Sequence, residues 1–221
     1  MAGSFSVVLP IAIMVGGAFG ITLLTILFRL RNKVESVITS LVLWAALATL
    51  ITLPLPGQLT SPFYGVVHSD GILFKMDYLG VFLVATAILV GIFITIYSGE
   101  YLSRDHRFVL YYPLILLTMS GLLGLFYSTD LFNIFLLVEL TTITISALIA
   151  FRYKREDSVK AGFKYLIIST LGAMIMMLGV YFTYRSSGSL AFSAISAGPD
   201  LFTRVGAGCF LIGFWIKAGV V

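Results

Sequence analysis

The sequence predicts an all-α integral membrane protein with about seven transmembrane helices. Of its 221 residues, 59% are hydrophobic and only 11% are charged, which is too apolar a composition for an ordinary soluble domain. The apolar residues form continuous runs, which favours helices over the alternating strands of a membrane β-barrel. A helix needs about 20 mostly apolar residues to cross a bilayer. The segments that qualify are 7–28, 37–53, 78–98, 108–127, 131–151, 159–184 and 201–221.

The first predicted helix is expected to remain in the membrane, because Met1-Ala2-Gly3-Ser4 lacks the positive region of a cleaved signal peptide. Its Gly16, Gly17 and Gly20 include a Gly-x-x-x-Gly spacing. That spacing allows two helices to approach closely, but it also occurs in membrane helices of any kind. Both interpretations remain open.

The connections between helices carry turn and cap signals. Two apolar runs flank Asp70-Gly71 within 54–76, which predicts a loop ending in a short β-hairpin with a primed turn. Asp77 and Asp130 stand at the start of the third and fifth helices, where a carboxylate caps free backbone amides. The stretch 186–200 is expected to hold a short interfacial element around 190–195.

Basic residues are concentrated in the loops after the first, third and fifth helices. They are Arg29, Arg31, Lys33, Arg104, Arg107, Arg152, Lys154, Arg155 and Lys160, whereas the opposite loops contain Lys75, Arg185 and Arg204. The positive-inside rule therefore places the basic loops in the cytoplasm and the N-terminus outside.

Composition excludes several kinds of function. The single Cys209 excludes an internal disulfide and a four-thiolate metal or iron–sulfur site. His68 and His106 are far apart in the sequence and are expected to lie in loops. The net charge of +4 is too small and scattered to indicate a nucleic-acid partner. No cofactor and no metal site are expected.

Two ionisable residues fall inside predicted membrane helices, where a central charge costs about 2.5 to 3.5 kcal/mol. Glu139 lies halfway along the fifth helix and Lys217 lies deep in the seventh. Their opposite signs favour pairing, either as a proton or ion route or as an ion pair that only fixes helix packing. Thr142 and Ser146 share the Glu139 face at helical spacing, which predicts a polar stripe.

Lys164 lies about one turn inside the sixth helix. It can serve the same route, or extend its stem to the membrane surface. The seventh helix contains Gly206, Gly208, Gly213 and Gly219, so it is expected either to break near Lys217 or to use a glycine face for tight packing.

The segment 128–140, STDLFNIFLLVEL, resembles the fifth-helix signature of the antiporter-like proton-channel subunits. This family is shared by respiratory complex I, Mrp Na+/H+ antiporters and membrane-bound hydrogenases. The Asp-Leu-Phe-Asn motif within the segment is most similar to the Mrp and hydrogenase branches. Further segments fit the third, sixth and seventh helices of the family: 74–79 with 97–101, 160–165 and 214–219.

The resemblance implies that Glu139 and Lys217 form the proton-translocating pair, with Lys164 as a further member. It implies an ion-translocating subunit for H+, with Na+ as a second candidate ion, that works with other membrane subunits of a multisubunit complex and has no redox centre of its own. The expected location is the inner membrane of a prokaryotic-type cell. Residues 1–221 are expected to form one membrane domain, with three helices and the hairpin in 1–107 and the start of the ion-translocating repeat in 108–221.

Family members continue into a second, inverted repeat, so the chain is expected to be a fragment, the ordered part of a longer chain, or one piece of a split subunit. Two alternatives to ion translocation in a complex stay open. One is a transport-dead scaffold subunit, and the other is a small transporter that works alone.

Overall fold

The computed structural model describes residues 8–28, 32–52, 60–63, 72–75, 77–102, 110–152, 154–195 and 200–219. Within these ranges the chain forms helices joined by one two-stranded hairpin. In chain order the elements are α1 (Leu9–Phe28), α2 (Asn32–Thr52), β1 (Thr60–Phe63), β2 (Ile72–Lys75), α3 (Tyr78–Tyr101), α4 (Tyr111–Tyr127), α5 (Leu131–Ile149), α6 (Glu156–Ser187), α7 (Phe192–Ile195) and α8 (Leu201–Lys217).

The helices confirm the predicted all-α membrane fold. Five of them, α1, α2, α3, α5 and α6, are long and apolar enough to cross a membrane, and α4 is a shorter apolar helix. Many of their large apolar side chains are exposed, for example Phe19, Phe28 and Phe93. An outer surface of this kind suits lipid, because lipid tails are as apolar as the side chains that face them.

The chain divides into two compact units, Met1–Tyr127 and Ser128–Val221. In the first unit, α1 packs against α2 and α4, and α3 packs against α2 and α4. Its core contains the fully buried side chains of Met14, Ile21, Leu43, Ile88 and Leu116. The predicted division of one membrane domain near residue 107 stays a prediction.

The two strands of the predicted hairpin are present. β1 and β2 pair antiparallel, with Thr60 opposite Lys75 and Phe63 opposite Ile72. The predicted primed turn at Asp70-Gly71 falls between the two strands and stays a prediction. Residues 64–71 lie outside the described residues.

Both predicted caps are confirmed. The Asp77 side chain accepts a hydrogen bond from the Gly80 amide at 2.6 Å, and Asp130 accepts from the amides of Phe132 and Asn133 at 2.8 and 3.0 Å. The interfacial element predicted at 190–195 corresponds to the single-turn helix α7. In contrast, Arg29, Arg31, Arg104, Arg107, His68 and His106 lie outside the described residues.

Of the three glycines of α1, only Gly17 makes a close helix contact within the described part of the chain. A Cβ at Gly16 or at Gly20 would meet no atom within 4 Å, whereas a Cβ at Gly17 would lie 2.7 Å from the Val42 side chain. The Gly-x-x-x-Gly pair therefore faces away from the neighbouring helices of its own unit.

Candidate functional site

The start of α5 is fixed by a hydrogen-bond network that sets the position of Glu139 two turns further on. Besides the Asp130 cap, Asn133 is buried and donates from its side chain to the Ser128 hydroxyl at 3.0 Å. The connection after α6 is tied to the same place, because the Leu131 amide donates to the Leu190 carbonyl and the Phe192 amide donates to the Thr129 carbonyl, both at 3.1 Å. The Asp-Leu-Phe-Asn motif therefore caps and stabilises the first turn of α5.

Lys217 is positioned by close packing of α8 along α6. A Cβ at Gly213 would lie 2.5 Å from the Gly172 carbonyl oxygen and 2.7 Å from the Met176 amide nitrogen. One turn further along, a Cβ at Gly172 would lie 3.2 Å from Cγ of Lys217. Only glycine at these two positions allows the backbones to approach this closely, so the lysine stem lies directly over Gly172.

The same seam continues towards the start of α8. A Cβ at Gly179 would lie 2.6 Å from the Gly206 carbonyl oxygen, and a Cβ at Gly206 would lie 2.5 Å from the Thr183 hydroxyl. We call Gly172, Gly179, Gly206 and Gly213 the glycine seam. The helix runs unbroken from Leu201 to Lys217. A packing face therefore explains Gly206 and Gly213, and the predicted interruption falls at the helix end, where Gly219 has φ +75°.

The side chains of Glu139 and Lys217 meet. The Lys217 ammonium donates to Oε1 of Glu139 and to the Thr142 hydroxyl at 3.2 Å. The lysine side chain is only 5% exposed and the glutamate side chain is 28% exposed. The pairing expected from the opposite charges is therefore present in the second unit.

Thr142 completes the site in a specific orientation. Its hydroxyl hydrogen is donated to the Val138 carbonyl at 2.8 Å, so its oxygen lone pairs remain for the ammonium of Lys217. Ser146, the other residue of the predicted polar stripe, donates to the Ile143 carbonyl of its own helix at 2.9 Å. Thr142 thus contacts the charged pair directly, whereas Ser146 is bonded to its own backbone.

Energetically, the ion pair is a poor device for stability alone. Desolvation of two charges can exceed their attraction, whereas removal of one partner of a buried pair costs about 3 to 5 kcal/mol because the other charge is left uncompensated. The described residues that bond the Lys217 ammonium are Glu139 and Thr142.

The structure does not bring Lys164 to the pair. Lys164 is exposed on α6 and lines an open groove with Val159, Lys160, Phe163, Ile167 and Ile168. No hydrogen bond or ion pair joins it to another described residue. Its role in ion transfer stays a prediction.

Three residues of interest are not among those predicted from the sequence. Two of them are Gly172 and Gly179, although their seven-residue spacing matches that of Gly206 and Gly213 on α8. The third is Glu35 on α2, whose side chain is 1% exposed. Among the described residues, no cluster of three or more His, Cys, Asp or Glu side chains could hold a metal ion.

The second unit is similar in sequence to a known protein family. Residues 128–221 match the family described as "NADH:quinone oxidoreductase/Mrp antiporter, TM". NADH-quinone oxidoreductase subunit N 2 of Roseiflexus castenholzii is 26% identical over 213 residues, which are 92% of this chain and 42% of that protein. The chain therefore spans less than half the length of this curated relative.

Solved structures share the fold. A chain of respiratory complex I from Thermus thermophilus matches with a TM-score of 0.73 and 24% identity, over 92% of this chain and 42% of that one. A chain of the Mrp complex from Dietzia sp. DQ12-45-1b matches with a TM-score of 0.79 and 18% identity, over 96% of this chain and 23% of that one. The predicted resemblance is confirmed: residues 128–221 match the NADH:quinone oxidoreductase/Mrp antiporter family, and the chain is similar in sequence to subunit N of NADH-quinone oxidoreductase and in fold to chains of complex I and the Mrp complex.

Proposed function

We propose that this chain carries the first half of a proton path in an antiporter-like subunit of a multisubunit membrane complex, and that Glu139 and Lys217 are the residues that hold and release the proton. The observation that carries the proposal is the contact between the buried Lys217 ammonium, the Glu139 carboxylate and the Thr142 hydroxyl. The family match over the same residues supports it.

The chemistry follows from the distance between the two charges. A carboxylate beside the ammonium stabilises the charged lysine, whereas an ammonium left alone in an apolar medium gives up its proton. Movement of Glu139 away from Lys217 therefore releases a proton, and its return favours uptake. Thr142 keeps one oxygen against the ammonium during this exchange, because its hydrogen is already bonded within α5.

H+ is the ion that this site favours. Na+ requires several converging oxygen ligands, whereas the Glu139 and Thr142 oxygens both contact a cation that the protein supplies itself. The partners of the chain are other membrane subunits of a complex I-like or Mrp-type assembly, which hold any redox centre. The loops with most basic residues lie in the cytoplasm, and the membrane is the inner membrane of a prokaryotic-type cell.

The test uses the complex purified through a tag on the complete subunit and reconstituted in liposomes with an internal pH dye. Proton uptake is measured after an imposed Na+ gradient and, separately, after addition of quinone and electron donor. Glu139→Gln keeps the size of the side chain and removes its charge. We expect the Glu139→Gln complex to take up protons no faster than protein-free liposomes leak them.

The matched control is Glu156→Gln, a carboxylate on α6 that is 86% exposed and pairs with Lys160 on the surface. This variant is expected to translocate protons at the unmodified rate, because exposed pairs of this kind contribute little. Full proton uptake by an assembled Glu139→Gln complex would refute the proposal and support the scaffold function instead. Transport by the isolated chain would support the third alternative, a transporter that works alone.

A further inference from the structure

A second carboxylate is buried inside the first unit, where the sequence analysis expected a loop. Glu35 lies in the first turn of α2, and its side chain is 1% exposed. Its Oε1 accepts a hydrogen bond from the Thr25 hydroxyl of α1 at 3.0 Å. Its Oε2 is buried and has no hydrogen-bond partner among the described residues.

Two further buried polar side chains lie near this carboxylate, Ser36 on α2 and Tyr112 on α4. Ser36 is buried beside it and donates to the Thr95 carbonyl of α3 at 2.8 Å. The Tyr112 hydroxyl of α4 is fully buried near the hydroxyl groups of Ser36 and Ser98. Both the Ser36 hydroxyl and the Tyr112 hydroxyl lie within 4 Å of the place that a Cβ at Gly99 would occupy. Glu35, Thr25, Ser36 and Tyr112 form what we call the Glu35 cluster.

The described part of the first unit offers this carboxylate no cation. Its other charged side chains are Lys33 on α2, Lys75 on β2, Asp77 before α3 and Glu100 on α3, and α1 and α4 have none. Lys33 pairs with Glu100 at 2.9 Å, and both of these side chains are exposed. Tyr112 is the titratable group of α4 that interacts with Glu35.

An ionised carboxylate would be costly in this position. A buried charge without a partner costs far more than a buried neutral group, and a carboxylate accepts up to four hydrogen bonds, whereas the described residues supply one. A carboxylic acid fits better, because a neutral group avoids the cost of a buried charge without a partner. We propose that Glu35 is a second proton-binding site of this chain, outside the Glu139 and Lys217 pair.

The position of the cluster gives the proton a short path to the surface. Glu35 lies two residues from Lys33, and Ser36 is covered by Gly99, the residue before Glu100. The exposed Lys33–Glu100 ion pair joins the same ends of α2 and α3 that meet at Ser36 and Gly99. A proton that leaves Glu35 is therefore expected to reach the surface at this end of the two helices.

The experiment is infrared difference spectroscopy on the complete complex in H2O and D2O, which detects the C=O stretch of a protonated carboxylic acid. Glu35→Gln is expected to remove one such band, whereas Glu100→Gln, the matched exposed carboxylate, is expected to leave the spectrum unchanged. Proton uptake by the Glu35→Gln complex is expected to fall by about a hundredfold, the usual contribution of a proton-transferring group. Glu35→Asp, which keeps an acid, is expected to retain both a band and part of the rate.

A carboxylic-acid region that is identical in Glu35→Gln and unmodified complexes would overturn the proposal, and would mean that Glu35 is ionised and only stabilises the start of α2. Full-rate proton uptake by Glu35→Gln would also overturn it. If the Glu35→Gln complex fails to assemble, Thr25→Val provides a second test. It removes the hydroxyl that bonds Glu35 and keeps the Glu35 carboxyl group, so the C=O band of Glu35 is expected to shift. An unshifted band in the Thr25→Val complex would count against the proposal. The band is measured without transport, so a failure here is distinguishable from a failure at Glu139 and Lys217.

Discussion

Replacing Gly213 with alanine tests whether the close contact between α6 and α8 holds Lys217 in place. The new methyl group would lie 2.5 Å from both the Gly172 carbonyl oxygen and Cγ of Met176. Ordinary non-bonded contacts are about 3.5 Å or longer, so the helices must separate by roughly 1 Å. Because two of the crowded atoms belong to the α6 backbone, a change of rotamer cannot relieve the contact.

Comparison with Gly208→Ala isolates the loss of stability that the steric clash at Gly213 causes. Gly208 lies on the same helix, and a Cβ there would meet no atom within 4 Å. Both substitutions gain the same helix propensity, about 1 kcal/mol, so their difference isolates the overpacking cost of about 1 to 3 kcal/mol. A difference of about 2 kcal/mol corresponds to roughly 4 to 8 °C in Tm for a chain of this size.

The assay is thermal unfolding of the two variant complexes, followed by proton uptake in liposomes. Lys217 is one turn beyond Gly213, and a shift of about 1 Å in a reacting group can reduce a rate by about a hundredfold. We therefore expect the Gly213→Ala complex to melt below the Gly208→Ala complex and to translocate protons more slowly. Equal Tm values and equal rates for the two variants would refute the role of the glycine seam.

Three further predictions concern the second unit. Thr142→Val removes the oxygen that contacts Lys217 and keeps the shape of the side chain. Proton uptake, measured in liposomes, should fall, while the subunit composition, measured by mass spectrometry, stays the same. An unchanged rate of proton uptake would exclude a role for Thr142. Asp130→Ala should lower the stability of the second unit by about 1 kcal/mol through loss of the α5 cap, with Asp130→Asn as the control that restores most of the Tm. Glu139→Ala should lower the stability of the second unit by about 3 to 5 kcal/mol, because it leaves the charge of Lys217 uncompensated. The double variant Glu139→Ala with Lys217→Met should recover much of this stability, because it also removes that charge. Additive losses of stability in thermal unfolding would contradict a coupled pair.

The helices and the ion pair could be predicted because each rests on a local signal. A run of about 20 apolar residues has few alternatives to a membrane helix, and two opposite charges in such helices have a strong reason to meet. Asp77 and Asp130 were predictable for the same reason, since a cap is a contact between residues two or three positions apart.

Glu35 and Gly172 could not be predicted in this way, because their environment comes from other helices. The sequence predicts a second membrane span over 37–53, which leaves Glu35 in the loop before it. The helix begins at Asn32, and Glu35 is buried against Thr25 of α1. Gly172 is needed because Gly213 of α8 packs against it, and the sequence of α6 alone does not indicate this contact.

The most direct test of the central proposal replaces Lys217 with methionine and compares it with Lys160→Met. Lys217 is 5% exposed and contacts Glu139, whereas Lys160 is 73% exposed and pairs with Glu156 on the surface. In reconstituted complexes of equal subunit composition, we predict no proton uptake above the leak for the Lys217→Met complex, and uptake at the unmodified rate for the Lys160→Met complex. Uptake at the unmodified rate by the Lys217→Met complex would contradict the assignment of Glu139 and Lys217 as the proton-carrying pair.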